Sequence, residues 1–120
     1  MSKIKGLSFA LIGVATLLVA SPCVALECPA PHPDARGALK ETPERTATTG
    51  TELAEKGADA ADRVIADLRA RHPTATSSEI MNYLITAYCP VINRQTRISE
   101  VQKREKIEAF NRQIGKILFR

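Results

Sequence analysis

The chain has 120 residues, of which 44% are hydrophobic, 25% charged and 4% aromatic, with no Trp. That length accommodates one domain, and an ordinary charged fraction excludes a collagen-like or wholly disordered chain. The formal charge is +4, but without Lys3 and Lys5 the balance falls to 15 cations against 13 anions, which is no footprint of a nucleic-acid binder.

The first 25 residues read as an address. Met1 to Gly6 carries Lys3 and Lys5 and no anion, and Leu7 to Ala20 is an uncharged run of 14 residues. Ser21-Pro22 breaks the run, and Cys23-Val24-Ala25 places small residues where a signal peptidase reads. A cationic head, an apolar middle and a small-residue exit make a secretory signal peptide. The run is shorter than the roughly 20 residues that a spanning helix needs. Pro22 before Cys23 does not suit lipoprotein processing. The expected destination is the periplasm or the medium, with a mature chain from Leu26 to Arg120.

Export leaves two cysteines, Cys28 and Cys89. In an oxidising compartment they pair most simply with each other. Closing a loop of about 60 residues gives about 4 kcal/mol in the chain-entropy model. Metal binding competes weakly: Cys28 and His32 have C-x3-H spacing, with His72 and Cys89 further on, whereas zinc wants four converging ligands in two close pairs. Cys-Pro occurs twice, at Cys28-Pro29 and Cys89-Pro90, yet the C-x-x-C-H of covalent haem attachment is absent. So is the C-x-x-C of thiol redox chemistry. No cofactor is expected.

Residues 26–50 hold Pro29, Pro31, Pro33 and Pro43, then Thr46, Thr48, Thr49 and Gly50. Alternate prolines favour an extended path, so the segment reads as an arm, with a short turn over Glu41 to Arg45. A first helix is expected from Thr51 to Arg71, with Thr49 and Glu52 at capping-box spacing and His72-Pro73 ending it. Leu53, Gly57, Ala60, Ala61, Val64 and Leu68 share one face. Its small members, Gly57, Ala60 and Ala61, suit a close helix approach.

A second helix is expected from Ser77 to Cys89, capped by Thr76 and Glu79 and closed by Pro90. It is apolar over more than half its circumference, which predicts a central, buried position. Val91, Ile92 and Ile98 then fold a connection over the core. A third helix runs from Ser99 to Phe119 with a Ser99–Gln102 box and a stripe of Ile107, Phe110, Ile114, Ile117 and Leu118. Val101 and Phe119 fall off that stripe. The predicted fold is all-α: a three-helix domain over 51–120, preceded by the proline-rich arm and stapled by one disulfide.

Charge is asymmetric. Residues 94–120 hold eight cations and three anions, whereas 26–93 hold seven and ten. The last helix is therefore basic and amphipathic, and Arg112, Lys116 and Arg120 mark an interaction face for anionic lipid or an acidic partner. Ordinary helix electrostatics also accounts for these charges, through Glu100–Arg104 and Glu108–Arg112 at i,i+4 and through cations at the negative end of the dipole.

Catalytic signatures such as G-x-S-x-G, H-E-x-x-H or a phosphate loop do not occur. The carboxylate pairs Asp59–Asp62 and Glu105–Glu108 fall on polar faces, so no enzymatic activity is expected. In layout the chain is similar to the small periplasmic acid-stress chaperones: an exported all-helical chain near this size with one disulfide. The likeness is one of architecture and departs in the proline-rich arm and the basic last helix, so no residue role carries over. Three functional readings follow. The first is a non-enzymatic binding or chaperone-like protein of the bacterial envelope, with a protein partner or client. The second is an envelope protein acting on an anionic membrane surface through its last helix. The third is a metal or haem carrier using Cys28, His32 and Cys89.

Overall fold

The computed structural model describes residues 27–29 and 39–120. The segment over 1–25 that reads as a leader and most of the arm, His32 included, lie outside the described residues. Those described form four helices and no strand: α1 (Pro43–Lys56), α2 (Ala58–Arg71), α3 (Ser77–Asn93) and α4 (Glu100–Leu118). The all-α expectation stands, with one helix more than the sequence pattern suggested.

The extra helix comes from a break at Gly57. Its φ of 61° and ψ of −138° lie where an L side chain is disfavoured. The break does not interrupt the apolar face, because Leu53 precedes it and Ala60, Ala61, Val64, Ile65 and Leu68 follow, all buried. Periodicity alone therefore reads the two helices as one. Arg63 on α2 forms an ion pair with Glu52 on α1 across the bend.

α1 also begins earlier than expected, inside the segment read as arm. Its start is Thr42-Pro43-Glu44: Thr42 Oγ1 accepts from the Arg45 amide at 3.2 Å, Pro43 needs no amide partner at a first helical position, and Glu44 sits at the positive end of the dipole. Thr49 and Glu52, expected to cap, lie within the helix.

α3 is central. α1 runs along one side of it and α4 along another, and α2 closes the bundle between α1 and α4. Ile80, Leu84, Ala87, Tyr88, Cys89 and Ile92 of α3 are buried. Tyr88 stacks on Phe110 of α4 with ring centroids 3.9 Å apart, and burial pushes its phenol pKa up. Of the three expected capping boxes two form, Thr76 with Glu79 and Ser99 with Gln102.

α3 does not end at Cys89. Pro90 lies inside it, and the helix continues to Asn93. An internal proline removes one helical hydrogen bond and crowds the preceding turn, at about 3 kcal/mol. Two anchors hold the last turn: Ile92 is 1% exposed in the core, and Lys103 Nζ donates to the Asn93 carbonyl at 2.9 Å. Ile92, expected in a connection, is thus a core residue of α3.

The close approach of helices is at Gly50 rather than at Gly57. A Cβ on Gly50 would overlap the carbonyl of Ala87, whereas one on Gly57 would meet nothing within 4 Å.

Candidate functional site

Three groups of polar or exposed side chains stand out: the anchors of the arm, the cap of α3, and the outer face of α4.

The arm is anchored at both described ends. At the first, the Cys28 and Cys89 sulfurs lie 2.14 Å apart, with Cα atoms 5.6 Å apart. That is disulfide geometry, and it ties the arm to the central helix. At the second, Leu39 packs against the core and the Glu41 side chain is 3% exposed. Glu41 accepts from His72 Nε2 at 2.8 Å and from Arg71 Nη1. Arg71 also pairs with Asp67 at 2.8 Å, and Arg45 lies 3.8 Å from the second Glu41 oxygen. Burial alone would raise the Glu41 pKa, but the hydrogen bonds from His72 and Arg71 and their charge outweigh it and hold it below the usual range. The hydrogen bond from Arg71 likewise lowers Asp67.

Sequence reading missed this cluster, treating Glu41 to Arg45 as a turn. A signal was present for the helix start, in Thr42-Pro43-Glu44. None was present for a pairing across about 30 residues, which only the tertiary fold creates.

With the two sulfurs joined, neither is a thiolate, and a thiolate is what a metal or haem carrier would need. His32 lies outside the described residues, and His72 is held by Glu41. Among the described residues no group of three or more His, Cys, Asp or Glu side chains could hold a metal ion. Asp59, Asp62, Glu105 and Glu108 are all exposed, as their polar faces suggested.

The eight cations of residues 94–120 do not act as one surface. Lys103 is 8% exposed, and its ammonium caps α3 and pairs with Glu100 at 2.9 Å. Arg112 and Lys116, by contrast, are exposed, and the expected Glu108–Arg112 pair is absent among the ion pairs of the described residues. Arg120 folds back, donating from Nε to the Lys116 carbonyl at 3.2 Å. Beside these cations Phe119 is 57% exposed, and Val101, further up the helix, is 62% exposed. A shallow groove between α2 and α4 adjoins this end, lined by Asp62, Ile65, Arg69, Ile117, Leu118 and Arg120. No described helix is long and apolar enough to cross a membrane.

Comparison with family models finds no match, and comparisons with curated proteins and with solved structures find none.

Proposed function

We propose that the chain is an exported, non-enzymatic binding protein of the bacterial cell envelope, with a chaperone-like action on a protein client. The observation that carries this reading is the Cys28–Cys89 link between the arm and the buried face of α3. Such a staple persists where thiols are oxidised and is rare where they are kept reduced. A cationic head and apolar run at the start of the chain agree with the same destination. Among the described residues the surface offers solvated charge and two exposed large apolar side chains, Val101 and Phe119 at opposite ends of α4, an arrangement suited to contact rather than to chemistry.

Two measurements test it. Intact mass and thiol titration of protein made in an exporting bacterium should give a chain lacking the leader and free thiols only after reduction. Aggregation of a denatured client, followed with and without the protein from acidic to neutral pH, should slow in its presence. A retained leader or free thiols in native material overturns export. No suppression at any pH overturns the chaperone-like action.

A further inference from the structure

We infer that the C-terminal end of α4 is a docking surface for anionic phospholipid, with Phe119 entering the headgroup region and Arg112, Lys116 and Arg120 meeting the phosphates. This inference stands apart from the chaperone-like reading, since it concerns a different surface and a different partner.

At 100° per residue Arg112, Lys116 and Phe119 fall within about 60° of one another on the helix circumference. All three are exposed, on the side opposite the buried Phe110, Ile114 and Leu118. Residues 109–120 contain no Asp or Glu. Glu105 and Glu108 lie on the same strip one to two turns earlier, so the cationic surface is the end of the helix and not its whole length. Arg120, hung on the Lys116 carbonyl, places a third cation at that end.

A lipid surface fits better than an acidic protein. A specific protein interface needs about 800 Å² per partner with a well-packed apolar centre. The one large exposed apolar group at this end is Phe119. A fluid bilayer conforms to the end of a helix and accepts a single aromatic at headgroup depth, while long Lys and Arg stems reach outward to the phosphates. Each cation near an anionic leaflet strengthens attachment about fivefold.

The test is co-sedimentation of the protein, as recovered from an exporting bacterium, with phosphatidylcholine vesicles and with vesicles carrying about one-third phosphatidylglycerol. Binding should occur to the anionic vesicles alone and fall with added salt. R112Q and K116Q should each weaken it about fivefold, and F119A about tenfold, a fraction of the value for a fully buried Phe. All three side chains are exposed, so circular dichroism and urea midpoints should stay at wild type. Three outcomes overturn the inference: no binding to anionic vesicles, equal binding to neutral ones, or binding that these substitutions leave unchanged. Retention on immobilised polyglutamate without any vesicle binding also overturns it and indicates an acidic protein partner.

Discussion

Gly50 of α1 lies directly against the backbone of Ala87 in α3, so close that a Cβ on Gly50 would stand 2.8 Å from the Ala87 carbonyl carbon and 3.1 Å from Val91 Cγ2. The obstacle is backbone and cannot swing aside. G50A must therefore lever α1 away from the central helix, at about 3 kcal/mol, the upper end for overpacking. Gly57 is constrained differently: space is open around it, but its φ is 61°. G57A should cost about 1–3 kcal/mol through backbone strain alone. Urea unfolding of both variants separates the two effects. A G50A loss under about 1 kcal/mol would place the helix crossing elsewhere.

Much of this architecture was legible from local chemistry. The boxes at Thr76–Glu79 and Ser99–Gln102 announce two helix starts, because side chain and backbone satisfy each other within four residues. The apolar wrap of α3 announces its central place. What stayed hidden depends on distant partners. Gly57 breaks a helix without breaking its hydrophobic phase, so the pattern could not count two. Pro90 would ordinarily end α3, and it does not because Ile92 and Lys103 hold the turn beyond it. On the proposed docking face, Arg112 and Lys116 were legible as cations. Lys103 falls about 180° from Arg112 on the helix circumference, so the pattern already separates it from that face; its partner, the Asn93 carbonyl, was not legible, since it follows from where α3 ends in space.

The Glu41 anchor predicts acid sensitivity. Its pKa is lowered in the folded chain, so the folded state holds fewer protons there than the unfolded state does. The stabilisation is present above the unfolded Glu value, about 4.3, and is lost as pH falls through the lower folded value. Stability should therefore decline below about pH 5. E41Q should cost about 2 kcal/mol at neutral pH, the scale of hydrogen bonds to a charged group, and should flatten that acid limb. Thermal melts between about pH 3 and 7, a range that spans ordinary carboxyl titration, check it. An unchanged acid slope in E41Q would assign the sensitivity to other carboxylates.

Lys103 predicts a local effect at the end of α3. Its ammonium donates to the Asn93 carbonyl and to Glu100, each at 2.9 Å. There it faces the negative end of the α3 dipole while its stem is buried. K103M keeps the stem and loses the cap, and should destabilise by about 1–2 kcal/mol. The exposed neighbour in K106M should change stability by under about 0.5 kcal/mol. Hydrogen exchange adds a positional readout: in K103M protection should fall first at Ile92 to Arg94, beyond Pro90. Equal losses in the two variants would mean that the ammonium does not hold that turn.

The two anchors of the arm act on different states, and this makes their combination predictable. In the chain-entropy model the Cys28–Cys89 link restricts the unfolded chain, and removing it in C28A/C89A should lower stability by about 4 kcal/mol. Glu41 acts in the folded state, through contacts on Arg71 and His72 that involve neither cysteine. The losses in C28A/C89A and E41Q should then add to within about 0.5 kcal/mol in the combined variant. Calorimetry or urea unfolding of the four proteins closes the cycle. A combined loss much smaller than the sum would show that freeing Cys28 already releases Glu41, so that the arm detaches as one unit. The same cycle run on the reduced wild-type and E41Q proteins should show the same additivity, with the loss on reduction differing from that of C28A/C89A by the cost of truncating the buried Cys89 side chain.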